Sequence, residues 1–295
     1  MSRKKFWFYL ALVFGLSWGL WVIILPLLPL PLNAGLPITS AVGMYFPALS
    51  VLLMCRILKR QMNWRDILKL HVRGNGIYYI IAWLLPALLT ILGGLIYFAV
   101  FPGEFDPRLT YVASMLAAQD TAAGITPLQL VLIQTAQAVI IAPVINSLLA
   151  VGEELGWRGY MVPELRKKYT PLQTHLLAGL IWGVWHTPIN MLGHNYGLRY
   201  PGYPWGGILA MSVFCFSIGV IASRLFEKTG SIWPCALLHG AVNAISGLPI
   251  LFQKPALIQG RHVLLGPAPN GFLAGLPMLL LALYYLYLMT KEAKV

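Results

Sequence analysis

Negative charge is scarce in this sequence. Nine of 295 residues are Asp or Glu, and charged residues of both signs make up only 10% of the chain. A water-soluble globular domain is roughly a quarter charged. With 58% hydrophobic residues besides, a fold of this length cannot hide its apolar surface from water, so a soluble globular protein is excluded. Cysteine is scarce too. Cys55, Cys215 and Cys235 stand in separate apolar runs with no metal-ligand spacing and no disulfide pattern, and read as small core hydrophobes. No H-E-x-x-H helix is present. The aspartates, Asp66, Asp106 and Asp120, all lie outside the apolar runs, which excludes an intramembrane aspartyl pair. The string GLSWG at 15–19 matches G-x-S-x-G, yet it sits inside an apolar run instead of a strand-turn-helix elbow, and reads as packing. There is no repeat, no low-complexity segment and no soluble domain.

What remains is an all-α polytopic membrane protein, a single membrane domain over 1–295. Apolar runs near 6–30, 38–58, 77–100, 127–151, 172–193, 208–226, 231–251 and 272–289 predict about eight transmembrane helices. The first run is longer than the core of a signal peptide and no A-x-A site follows it, so it is expected to be a retained helix. With the N-terminus inside, Arg3, Lys4, Lys5, Arg56, Lys59, Arg60, Arg65, Lys69, Arg73, Arg158, Arg166, Lys167, Lys168, Arg224, Lys228, Lys291 and Lys294 fall on the inner side. Only Arg108, Arg199, Lys254 and Arg261, of 21 Lys and Arg, fall outside. The bias predicts both termini cytoplasmic and assigns the net charge of +12 to topology, not to a nucleic-acid partner. Between spans two and three, NWRDILKLHVR has a cap at Asn63, Asp66 at the third helical position, and Trp64, Ile67, Leu68 and His71 on one face. It reads as an amphipathic helix on the inner membrane surface.

Ionisable groups at membrane depth are costly and mark functional sites. Three clusters qualify. In VGEELGWRGY (151–160), Glu154 and Arg158 are i and i+4 and can pair, which leaves Glu153 without a local partner. In WGVWHTPIN, Trp182 precedes His186 by one turn, and Gly179 and Gly183 allow close helix packing. In LLHGAVNAI, His239 and Asn243 share one helix face. Counted from the nearest inner basic loop at ~1.5 Å per residue, Glu153, His186 and His239 stand ~20, ~24 and ~16 Å up, in the middle zone of a ~30 Å core. Similar heights on spans four, five and seven predict one intramembrane polar cavity.

Such a set can activate water. A carboxylate takes the proton, a histidine orients or relays it, and a second histidine with an amide donates to a developing oxyanion. The same residues leave a zinc site open, with Glu153, His186 and His239 as ligands.

Glu153-Glu154-x-x-x-Arg158, Trp182-x-x-x-His186 and His239-x-x-x-Asn243, in this order and on separate spans, resemble the CPBP (Abi) family, the type 2 CAAX prenyl endopeptidases and their bacterial relatives. The resemblance covers about 127–250, the expected catalytic core. It implies an intramembrane endopeptidase, a hydrolase in which Glu153 activates water with His186 as partner. His239 and Asn243 would stabilise the oxyanion, and Glu154, Arg158 and Trp182 would support the site. Because the family is also described as metalloproteases, zinc stays the alternative cofactor, and no other is implied. In eukaryotic members the substrate is a prenylated C-terminal tail that loses three residues; bacterial members are linked to bacteriocin maturation or self-immunity. Two positions depart from the pattern: Gly152 stands where a third glutamate often does, and Trp182 where Phe is frequent. The expected partners are the lipid bilayer and a membrane-anchored peptide or protein. The expected location is the plasma membrane of a prokaryote. Two other readings compete: a proton-coupled transporter with Glu153 and the histidines as relay, and a non-catalytic bacteriocin-immunity protein.

Overall fold

In lipid every backbone N–H and C=O has to be satisfied within its own segment, so long apolar runs become helices. The computed structural model of the protein describes residues 3–58, 62–118, 124–258 and 260–293. Its helices are α1 (Arg3–Trp18), α2 (Leu32–Gly43), α3 (Phe46–Ile57), α4 (Trp64–Leu68), α5 (Gly76–Val100), α6 (Thr110–Ala117) and α7 (Pro127–Ile140). They continue with α8 (Ala142–Gly156), α9 (Val162–Arg166), α10 (Pro171–Trp185), α11 (Thr187–Met191), α12 (Trp205–Thr229), α13 (Trp233–Ile245) and α14 (Leu276–Glu292). Among the described residues there is no sheet; one antiparallel bridge pairs Phe105 with Gln253. Lys59, Arg60, Asp120 and Lys294, used above in the topology and aspartate arguments, lie outside the described residues.

Helix α5 shows the solvent for which the fold is built. Its exposed stripe is Ile80, Leu84, Leu88, Ile91 and Leu95, at helical spacing. Its buried stripe runs through Ala82, Pro86, Leu89, Gly93 and Tyr97, with small residues at the contacts. Large aliphatic groups face outward while Ala82, Gly93 and Gly94 face inward, the arrangement expected where lipid replaces water and helices gain by close approach.

Five helical stretches are long and apolar enough to cross a membrane, and a sixth if a bent pair counts as one. They are Lys4–Leu27, Leu32–Ile57, α5, α12 and Trp233–Phe252, with α7 and Ala142–Arg166 as the pair bent by 49°. Pro143 explains the bend. It has no N–H for the carbonyl of Val139 four residues earlier, and the indole of Trp83 on α5 donates to that carbonyl instead, at 2.5 Å. The two remaining expected spans are shorter as helices. α14 has 17 residues. α10 begins at a capping box between Thr170 and Gln173 and stops after 15 residues at His186, because Pro188 cannot continue the hydrogen-bond ladder.

Close backbone approach positions the site. α13 lies against α8, α5 and α12. A Cβ on Gly240 would stand 2.6 Å from the amide nitrogen of Ser147, so the α8–α13 crossing requires glycine there. Gly179 and Gly183 of α10 meet the backbone of Phe216 and Ser212 on α12 in the same way, as their spacing predicts.

The segment after α3 differs from expectation. Its helix is only the five residues of α4, and Asn63 donates to the Asp66 side chain without capping the backbone. The chain is fastened to the α12–α13 turn: Ile232 N–H donates to Ile67 O at 3.0 Å, and the Trp233 indole to Leu68 O at 2.7 Å. These bonds take up the carbonyls of the last two α4 residues, and Lys69, which follows them, is already extended, so the helix does not continue.

Candidate active site

Glu153, Trp182, His186, His239 and Asn243 line one cavity of about 460 Å³. They come from α8, α10, the break after α10, and α13. The three clusters predicted to share a height do converge. Glu154 and Arg158 stand behind the cavity wall.

Glu153 is not left alone, contrary to the expectation from helix spacing. Its Oε2 accepts two indole N–H groups, from Trp182 at 2.7 Å and Trp157 at 3.1 Å. Buried carboxylates need such donors. Oε1 accepts no hydrogen bond among the described residues, so one lobe of the carboxylate is clamped and the other is free. Trp157 was legible, since it stands four residues after Glu153 just as Arg158 does after Glu154. Trp182 came from another helix and its contact was not.

Glu154 is fully buried and holds the second layer. Its Oε1 accepts from Arg158 Nη1 at 3.1 Å, the predicted i, i+4 pair, and lies 2.9 Å from His239 Nδ1. The Arg158 guanidinium also sits over the Trp182 ring, 4.4 Å from its centroid, a cation–π contact. Arg158 thus touches both the residue that clamps Glu153 and the residue that orients His239.

The bond each histidine makes at Nδ1 sets its tautomer. His186 Nδ1 lies 2.8 Å from the carbonyl of Trp182. A carbonyl only accepts, so Nδ1 carries the proton and Nε2 of the neutral ring is an acceptor. His239 gives its Nδ1 proton to Glu154 and likewise keeps Nε2 uncommitted. Trp185 packs edge-on against His186 with ring centroids 4.8 Å apart, and its own carbonyl accepts from the Trp18 indole at 3.1 Å.

Both departures from the family pattern have physical reasons here. A Cβ on Gly152 would lie 2.6 Å from Met44 O and 2.8 Å from Tyr45 Cα, so a third glutamate has no room. Trp182 supplies an N–H to Glu153 that phenylalanine lacks.

Toward the loops the cavity is lined by His194, Asn195 and Asn270. Sequence reasoning passed over all three, since isolated polar residues in loops carry no spacing signal. Asn195 is left-handed (φ 66°) and donates to Asn190 Oδ1 at 2.8 Å, and Tyr196 donates to the carbonyl of Asn270 at 2.9 Å. Glu153, His186 and His239, the alternative zinc set, line the cavity without being gathered round one point: among the described residues no three His, Cys, Asp or Glu side chains form a metal-holding group.

Residues 129–245 match the family model described as type II CAAX prenyl endopeptidase Rce1-like. CAAX prenyl protease 2 of Methanococcus maripaludis is 39% identical over 114 residues, which take in 38% of this chain and 42% of that protein. The chain therefore matches less than half the length of this relative. The matched stretch runs from α7 to the end of α13 and includes every cavity and support residue from Glu153 to Asn243. Over that stretch, the chain is similar to the type II CAAX prenyl endopeptidases.

Proposed function

We propose that the protein is an intramembrane endopeptidase that cleaves near the C-terminus of a membrane-anchored, CAAX-type substrate, with residues 127–250 as its catalytic core. The observation that carries this reading is the half-clamped carboxylate of Glu153 in a cavity that also presents two imidazoles and an amide. The name of the Methanococcus relative supplies the substrate class.

The chemistry follows from which atoms are free. Water held between Glu153 Oε1 and His186 Nε2 attacks the scissile carbonyl, and its proton passes to Oε1. The carbonyl oxygen becomes an oxyanion facing the amide of Asn243 and Nε2 of His239. To donate there, the His239 ring carries both protons, and the Glu154 carboxylate at Nδ1 compensates that charge. Collapse of the tetrahedral intermediate breaks the C–N bond, and the leaving amine takes the proton back from Glu153. The indoles of Trp157 and Trp182 keep Oε1 aimed, as preorganisation requires. No step is routed through a metal.

The test is incubation of purified protein in liposomes with a lipid-anchored CAAX-type peptide, read by mass spectrometry. One internal bond is expected to break in the wild type and to survive in Glu153→Gln. Cleavage by a folded Glu153→Gln protein, or proton-driven solute uptake without any cleavage, would overturn the reading.

A further inference from the structure

We propose that a second cavity, behind Arg158 and between α9 and the end of α12, binds one phosphate-type oxyanion, either dissolved phosphate or the headgroup phosphate of a phospholipid. The site is separate from the cavity at Glu153 and does not depend on the endopeptidase reading.

Its walls come from two stretches of helix. Arg158, Val162, Pro163 and Arg166 run along the π-helical turn Trp157–Met161 and α9. Ser223, Phe226 and Glu227 lie three and four residues apart on one face of α12. Gly219, one turn before Ser223, makes room for the guanidinium: a Cβ there would stand 3.0 Å from Arg158 Nη2. The space enclosed is about 240 Å³, room for a phosphate group with water about it. At its rim the side chains of Arg166 and Glu227 are 28% and 36% exposed, so a solute has a way in.

Three donors on these walls lack a partner. Arg158 Nε, Arg166 Nη1 and Ser223 Oγ are buried and make no hydrogen bond among the described residues, and Arg158 and Ser223 are buried as whole residues. The rest of the Arg158 guanidinium is committed, Nη1 to Glu154 and its plane to Trp182. A buried cationic donor left unpaired is costly. Charge points the same way. The ion pairs here set Arg158, Arg166, Arg224 and Lys228 against Glu154, Glu227 and Glu292, which leaves one positive charge unmatched. Glu227, the carboxylate on the lining, meets Arg166 at 4.0 Å and is shared with Arg224 at 3.6 Å. Water satisfies the donors but not the surplus charge; an anion does both. Two arginines and a hydroxyl converging from separate positions suit a ligand rich in acceptor oxygens, as phosphate is. An anion held at Nε keeps the guanidinium on Glu154 and Trp182 without touching the reacting groups.

The full chain, freed of lipid in maltoside micelles, is titrated with inorganic phosphate against chloride at equal ionic strength, and then with short-chain phosphatidylglycerol. Binding is read by calorimetry and by the melting temperature. A saturable response to phosphate assigns a dissolved anion, and a response to phosphatidylglycerol alone assigns a headgroup; either supports the site. Arg166→Gln and Ser223→Ala are each expected to weaken that binding about tenfold or more, the worth of one hydrogen bond to a charged group. Lys168→Gln removes an exposed charge close by, outside this cavity, and is expected to leave binding intact. An equal loss in Lys168→Gln marks diffuse attraction and overturns the proposal. Unchanged binding in Ser223→Ala and Arg166→Gln overturns it too, as does a wild type that answers neither probe and so holds water only. If Arg166→Gln does not fold, Ser223→Ala beside Lys168→Gln decides. Cleavage by the wild type and Glu153→Gln is measured apart from these titrations, so failure here leaves the endopeptidase reading standing.

Discussion

Two buried carboxylates in this protein are treated in opposite ways. Glu104, in the loop after α5, has both oxygens occupied. Tyr97 O–H and Gln253 N–H donate to Oε2 at 2.6 and 2.7 Å, and His262 Nδ1 donates to Oε1 at 2.7 Å. Glu153, on α8, has two donors on one oxygen and none on the other. The first arrangement ties three loop segments together, and the Phe101 ring stacked on His262 completes the knot. The second leaves a lone pair for a proton. A saturated carboxylate is a fastener; a half-saturated one, beside water-sized space, is a base in waiting.

The comparison breaks if the two glutamates respond alike to removal of charge. Glu153→Gln is expected to lower cleavage by about 10³-fold, the range for loss of a general base, with thermal stability nearly intact. The measurement is single-turnover cleavage beside a melting curve. Next in size, His239→Ala should cost about 10²-fold in kcat, as loss of an oxyanion donor does; an effect confined to KM would remove it from that role. Trp182→Phe removes one of the two donors on Oε2 while keeping the ring over Arg158. One hydrogen bond to a charged group is worth about 1.5 kcal/mol, so a drop of roughly tenfold is expected, and an unchanged rate would show that Trp157 alone suffices. Glu104→Gln should leave cleavage untouched and destabilise the loops by about 1–3 kcal/mol, read as faster proteolysis at Lys254 or Arg261.

Acid sharpens the same contrast. Burial alone would raise the Glu104 pKa, but the hydrogen bonds from Tyr97, His262 and Gln253 outweigh it and hold the carboxyl below its ordinary value. A depressed pKa stabilises the fold at every pH above the unfolded value of about 4.3. That contribution disappears as pH falls through the lower, folded value. Loop proteolysis by an acid-active protease should therefore rise at the acid end of a pH series in the wild type and stay flat in Glu104→Gln.

Features carried by neighbours along the chain are legible in the sequence. The Glu154–Arg158 pair, the shared face of His239 and Asn243, and the small residues at 179 and 183 all follow from helical spacing, and so does the all-helical membrane class. Contacts between distant helices are not legible there. Nothing in the spacing sends the Trp182 indole to Glu153 or puts His239 on Glu154 instead of on Glu153. The five-residue limit of α4 is hidden too, because the bonds that stop it come from Ile232 and Trp233, far along the chain. The length of α10 is open to a reader who gives Pro188 its full weight as a helix breaker. The loop-side cavity residues His194, Asn195 and Asn270 become neighbours only when two long loops fold over the bundle.

The end of α10 constrains anyone who wishes to redesign this pocket. His186 uses one ring nitrogen to satisfy the backbone oxygen of Trp182, and offers the other to the reaction. A swap to alanine there would blur two losses, architecture and turnover, in a single reading. Glu153, whose free lobe has no structural duty, is the cleaner place to silence the machine and keep its shape.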